Sequence, residues 1–217
     1  MLRRVSVTIL LLVLLPATVH AFDHHHHHSS GGGSSGDGCG SSSSKSSASA
    51  PPSSASPSLP SSSHKRAFVT STTYSGALGG LKAADAACQA SASTGGLPGV
   101  FHAWVSDGSA SAYDRTTEVG AWYTTGDDLA FSSRADLRGA PKSELLDEYG
   151  GYPASAAGAW TGTDSGGAAT GQDCEGWTNA SAEVAATTGS ALADATWGGG
   201  NAPLRCNLKA PLICFQQ

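Results

Sequence analysis

Four cysteines constrain this chain more than any other feature. Cys88, Cys174, Cys206 and Cys214 all fall in its C-terminal part, behind an apolar N-terminus and a Ser/Gly/Pro-rich segment. Their order and spacing suggest a nested pair of disulfides, one long outer bridge and one shorter inner bridge near the C-terminus. Such bridges tie the two ends of a domain together and persist only where the surroundings are oxidising. Four cysteines still allow three connectivities, and spacing alone leaves them open. Zinc is the competing use, but there is no C-x-x-C pair and the intervals are far from those of a zinc finger.

The N-terminus reads as a secretory signal over residues 1–21. Arg3 and Arg4 precede an apolar run from Val5 to Leu15, Pro16 breaks it, and Val19-His20-Ala21 offers a small-residue cleavage site. An uncleaved anchor is the alternative, although the apolar run is short against the roughly 20 residues that a span needs. Lipid attachment would have to use Cys39, which lies far beyond the apolar core and follows Asp37-Gly38. Residues 22–63 read as a disordered tether. The run His24 to His28 suits a metal-binding stretch, an added tag or a natural low-complexity tract. Beyond it, Ser, Gly, Ala and Pro fill nearly every position. Such a segment has almost nothing to bury, so chain entropy keeps it mobile. Residues 64–217 then form the folded domain.

The formal net charge is -5 and only 13% of residues are charged, against about 25% in ordinary soluble domains. The folded part shows no run of Lys and Arg, which argues against nucleic acid and anionic membrane as partners. After cleavage no stretch is apolar enough to span a bilayer.

Local patterns place the elements. Ala67–Thr72 has strand character. Leu81, Ala84, Cys88 and Ala92 repeat at helical spacing and predict a helix over Leu81–Ala92, ended by Gly95-Gly96. Further strands are expected at Phe101–Val105, Ala121–Thr124, Gly158–Thr163, Cys174–Asn179 and Pro211–Phe215. A brief helical turn is expected within Ser109–Arg115 and another near Arg134–Leu137. Residues 126–157 otherwise read as a long loop region, and loops of that length in a compact domain are usually functional. Strands at both ends of a cross-linked domain are placed to pair with each other.

Five segments in order carry a resemblance: Phe68–Ala90, Phe101–Asp107, Ala159–Thr163, Cys174–Asn179 and Leu212–Gln217. Together they resemble the endostatin-like domain family of bacterial surface proteins, which includes the leptospiral endostatin-like proteins and relatives in environmental bacteria. The resemblance spans residues 66–217. It implies an α+β, C-type-lectin-like fold: a mixed, twisted sheet with paired terminal strands, long loops and two nested disulfides. It implies Cys88–Cys214 as the outer bridge, linking the first helix to the final strand, and Cys174–Cys206 as the inner one. An outer loop of roughly 125 residues is worth about 4 to 5 kcal/mol in the chain-entropy model. Trp104, Trp160 and Trp177 match recurrent tryptophans of the family and are expected to pack in the core. Trp122 and Trp197 lie in more variable regions, where exposure is expected. Sugar-binding C-type lectins hold calcium through Glu-Pro-Asn or Gln-Pro-Asp and Trp-Asn-Asp tripeptides, and none of these occurs here. Residues Thr196 to Asn201 stand before the third domain cysteine instead. Vertebrate endostatin holds zinc through N-terminal histidines, whereas His64 and His102 have no evident partner set.

No catalytic constellation emerges. Gly32–Gly36 fits G-x-S-x-G but lies in the tether, without the strand–turn–helix frame that a nucleophile elbow needs. Asp127, Asp128, Glu144, Asp147 and Glu148 could supply calcium oxygens or form a solvated acidic loop, the reading preferred here. Neither a cofactor nor a metal site is expected. The expectation is an exported, tethered or secreted, non-catalytic, adhesin-like module that recognises an extracellular protein or glycan without calcium. A purely structural exported domain and an unrecognised enzyme are the alternatives. Recognition is expected through residues 126–157 and the loop from Ala180 to Asn201. Asp127, Asp128, Trp197 and Asn201 are the candidate ligand contacts, unless Trp197 packs beneath its own Gly-rich loop.

Overall fold

In the computed structural model, residues 64–154 and 158–217 are described. The expected signal, the tether, His24–His28 and Cys39 lie outside them. In chain order the elements are β1 (Lys65–Val69), α1 (Leu81–Thr94), β2 (Phe101–Ala103), α2 (Ala112–Arg115), β3 (Trp122–Tyr123), β4 (Leu129–Phe131), a 3-10 turn (Arg134–Arg138), β5 (Ala159–Trp160), α3 (Cys174–Trp177), β6 (Ala185–Gly189), β7 (Asn201–Arg205) and β8 (Ile213–Gln216). This is a mixed α+β arrangement with a five-stranded sheet, ordered β2-β8-β1-β3-β4, and a three-stranded sheet, ordered β5-β6-β7.

The terminal strands pair as expected: β1 and β8 run antiparallel, with Ala67 opposite Phe215, Phe68 opposite Cys214 and Val69 opposite Ile213. Successive side chains on a strand point to opposite faces, and here both faces are buried. Phe68, Phe101, Ala103, Leu212 and Cys214 enter one core with the buried side of α1. Ala67, Val69, Ile213 and Phe215 enter a second core on the other face, with Trp104, Trp122, Phe131 and Trp197. A near-continuous apolar run such as Leu212–Phe215 is what a strand with two buried faces requires.

The helix forms where its spacing predicts, and Ala84, Cys88 and Ala92 are buried on it. Its polar side guards the sheet. β2 is an edge strand, and an exposed edge presents unpaired backbone groups. Phe101 N donates to Gln89 Oε1 at 3.0 Å and Ala103 N to Asp85 Oδ1 at 2.9 Å. Arg115, on α2, donates through NH1 to the carbonyls of Ala103 and Val105 and through NH2 to both carboxylate oxygens of Asp85. Helix and short helical turn thus seal this edge with side chains. The disulfides are Cys88–Cys214, which joins α1 to β8, and Cys174–Cys206.

Three local expectations are overturned. Cys174–Asn179 is not a strand: Cys174, Glu175, Gly176 and Trp177 all have positive φ (52°, 55°, 67° and 62°) and form a single turn of left-handed sense. Left-handed backbone costs an L-residue roughly 1 to 2 kcal/mol. The offsets are visible: the inner disulfide, Gly176 N donating to Asp173 Oδ1 at 3.0 Å, and the buried Trp177. Second, β4, β6 and β7 occupy stretches expected as loop or unassigned. The Ala-Ala-Thr-Thr-Gly sequence of β6 has little strand signature, and pairing with its neighbours decides it. Third, Trp122 and Trp197 are fully buried, like the three motif tryptophans. Each of the five indole N–H groups donates to a backbone carbonyl: Trp104 to Gly198, Trp122 to Gln216, Trp160 to Tyr74, Trp177 to Ser106 and Trp197 to Gly139. A buried indole needs such a partner, and here the partner is a distant chain segment, so each tryptophan clamps one segment to the core.

Candidate functional site

The long stretch after β3 divides between core and surface. Ala130, Phe131, Leu137 and Leu145 are buried and hold it down. What remains outside is two neighbouring turns. The first joins β3 to β4: Thr124 N donates to Asp128 O at 2.8 Å, and Thr124 Oγ1 accepts from Gly126 N and Asp128 N. It leaves Asp127 and Asp128 exposed. The second spans Asp147–Gly151. Asp147 Oδ1 accepts from Tyr149 N at 2.9 Å and Gly151 N at 2.8 Å, while Asp147 N donates to Gly151 O at 2.7 Å. Thr125 Oγ1 donates to Asp147 O at 2.7 Å and so joins the two turns.

The second turn is anchored from beneath. Glu148 is only 4% exposed, and its carboxylate accepts from Ser71 N at 2.8 Å and Ser71 Oγ at 2.7 Å. Pro153, two residues after the turn, is buried. The result is a braced turn that carries two tyrosines into solvent, Tyr149 at 63% and Tyr152 at 77% exposure. Large aromatics in that state are unusual in a domain that buries every tryptophan, and aromatic side chains on braced turns are frequent binding anchors. Sequence reasoning singled out this stretch but not its tyrosines; the Gly150-Gly151 pair between them, a turn signal, was the available pointer.

The four candidate contacts do not converge. Trp197 is 0% exposed, its ring centroid 4.7 Å from Phe131 and 4.9 Å from Trp104. It packs into the core aromatics rather than outward, and its side chain has no surface to offer a ligand. Asn201 opens β7, opposite Thr188 in the three-stranded sheet. Among the described residues no hydrogen bond, ion pair or ring contact joins either residue to Asp127 or Asp128. Asp127 pairs with Arg66 NH2 at 2.5 Å. The acids also serve separate ends: Glu148 is buried on Ser71, which corrects the solvated-loop expectation for that residue, and Asp147 caps its own turn. Among the described residues no group of three or more His, Cys, Asp or Glu side chains is placed to hold a metal ion, and no helix is long and apolar enough to cross a membrane.

A cavity of about 500 Å³ opens at the start of α1, lined by Gly80, Lys82, Asp85, Asp107, Ser109 and Arg115 among others. Its charges are largely committed to structure. Asp85 and Arg115 hold each other and the edge of β2. Burial pushes the Asp107 carboxyl up, but hydrogen bonds from Ser109 Oγ, Ser109 N and Ala110 N, with the charge of Arg115, outweigh it and hold the group below its ordinary value. An Asp with three such donors is a turn brace that stays ionised, not a poised acid.

No protein-family model matches the chain, and no curated protein matches it.

Proposed function

We propose that this domain is an exported, non-catalytic binding module of the endostatin-like, C-type-lectin-like kind, which recognises an extracellular protein or glycan through the surface of residues 126–154. The observation that carries the reading is the braced Asp147–Gly151 turn with Tyr149 and Tyr152 held out in solvent. Aromatic groups on a preorganised turn lose little conformational entropy on binding, which favours contact formation. Antiparallel terminal strands and a nested disulfide pair support the fold assignment. Two disulfides also fit display in an oxidising, extracellular or periplasmic setting.

The test is an array of glycans and extracellular proteins probed with the full chain and with a Tyr149→Ala/Tyr152→Ala variant. Ligands bound by the parent should weaken about tenfold or more in the variant, as for removal of interface hot spots. An array silent to the parent chain favours a purely structural exported domain. Ligands that bind both proteins equally place recognition elsewhere. Chelation should leave binding unchanged, because Asp127, Glu148 and Asp147 are engaged by Arg66, Ser71 and their own turn, and among the described residues no three acids are placed to share an ion.

A further inference from the structure

Two guanidinium groups lie against one ring. Cζ of Arg134 is 4.2 Å, and Cζ of Arg138 4.0 Å, from the centroid of Tyr113. The two are not equivalent. Arg134 donates to Tyr113 O through Nε at 3.2 Å and NH2 at 2.8 Å, and lies 3.7 Å from Asp114 Oδ1. Arg138 is exposed, and among the described residues its side chain makes no hydrogen bond and no ion pair; the ring contact is the side chain's whole attachment. Its guanidinium is therefore oriented by stacking while its hydrogen-bond donors remain unused.

Arg138 also stands on the walls of two cavities. The larger, about 370 Å³, is lined by Ala130, Asp136, Arg138, Gly139 and Lys142 among others. The smaller, about 160 Å³, shares Arg138 and adds Tyr113 and Asp114. Arg138 and Lys142 thus share one cavity wall, and Arg134 and Arg138 share one ring, a convergence that the sparse Lys and Arg of the linear sequence do not announce. Two like charges on one ring repel, and an anion at the open fork relieves that repulsion. A planar guanidinium with unused donors matches a carboxylate in two-pronged fashion.

The rest of the wall narrows the ligand. Asp136 Oδ2 accepts from Ser132 N at 3.0 Å, and Lys142 Nζ donates to Ser132 Oγ at 2.5 Å. A carboxylate beside the fork disfavours a densely anionic partner but is a good acceptor for hydroxyl groups. A small molecule with one carboxylate and several hydroxyls fits this pattern, and the cavity is within the usual size range of small-ligand sites, roughly 300 to 1,000 Å³.

We infer that the Arg138 fork is the seat of an acidic sugar, a uronate-type pyranose within a polysaccharide. The sugar carboxylate lies on the Arg138 guanidinium, and ring hydroxyls are met by Asp136 and Lys142. This rests on the reading of the domain as a binding module but places the ligand away from the tyrosine turn. Isothermal titration calorimetry of the full chain tests it with oligogalacturonate, its methyl ester, a poly-glutamate peptide and dextran sulfate. The expected result is binding of oligogalacturonate and at least tenfold weaker binding of the other three. Arg138→Ala should weaken oligogalacturonate about tenfold or more, the scale of a lost charge-assisted pair, with an unchanged thermal unfolding midpoint because the side chain is exposed. Arg138→Lys keeps the charge but loses the fork, and should weaken binding nearly as much. Equal binding of the sulfate or the peptide would reduce the site to a general anion patch and overturn the inference. Oligogalacturonate binding that ignores Arg138 but is lost in Tyr149→Ala/Tyr152→Ala overturns the seat and leaves the module reading standing. Absence of oligogalacturonate binding, with other array ligands still bound, has the same meaning; silence in both experiments removes both proposals.

Discussion

Replacing Trp197 by alanine tests how the segment between β6 and β7 is built. The indole is fully buried and lies against Phe131, Trp104 and Phe215 at centroid distances of 4.7, 4.9 and 5.8 Å. Core truncations of this kind cost about 3 to 5 kcal/mol. The hydrogen bond from Nε1 to Gly139 O, 2.6 Å long, adds about 1 kcal/mol at most, since Gly139 is exposed and water can replace the donor. The ring contacts overlap with the burial term and are not counted again. About 4 kcal/mol is therefore expected, which for a domain of this size lowers the unfolding midpoint by roughly 8 to 16 °C. Urea titration followed by circular dichroism measures the free energy, and acrylamide quenching of fluorescence in the parent protein reports indole access. Trp197→Phe, which keeps an aromatic group in the cavity, should cost clearly less than Trp197→Ala. A loss below about 1 kcal/mol for Trp197→Ala, the range of surface substitutions, together with strong quenching, would refute the reasoning and return Trp197 to the surface as a ligand contact.

Three further outcomes follow from the same physics. Non-reducing peptide mapping should yield Cys88–Cys214 and Cys174–Cys206, and Cys88→Ala/Cys214→Ala should cost about 2 to 5 kcal/mol in urea unfolding; an unchanged midpoint would show that the outer bridge does not form. Gly176→Ala should destabilise by about 1 kcal/mol, because its φ is +67° and the added methyl meets open space, leaving conformational strain as the whole effect; a neutral result would mean that the turn is not left-handed. Asp107 has a lowered folded-state value, so its contribution is complete above the ordinary aspartate value of 3.8 and fades as the pH falls through that value and the lowered one. Asp107→Asn should flatten the acid limb of the stability–pH curve, and an identical limb in parent and variant would contradict the assignment.

Some of this architecture is legible from local pattern. The face Leu81, Ala84, Cys88 and Ala92 predicts α1 because helical contacts lie three or four residues apart, and most of that face is buried in the fold. The strand character of residues near 67–69 and 213–215 follows from short apolar runs. Other features had no local signature. The Cys174–Trp177 turn has the composition of a strand and the backbone of a left-handed turn. Strand β6 is built from small residues, and the exposure of Tyr149 and Tyr152 depends on Glu148 reaching Ser71, 77 positions away.

The first helix, the two strands that close the domain and the presence of four cysteines, though not their pairing, are written in the linear chain, because those signals repeat over a few residues or lie in a single residue type. Which aromatics are core and which are surface follows from the folded arrangement alone. Trp197 is buried where Phe131, Trp104 and Phe215 close around it and Gly139, 58 positions earlier, accepts its hydrogen bond, and Trp122 where Phe215 packs on it and Gln216, 94 positions later, does the same. Arg138 came to stand on Tyr113 for a similar reason. Burial is set by which distant segments meet, and no pattern within a window of neighbouring residues contains that information.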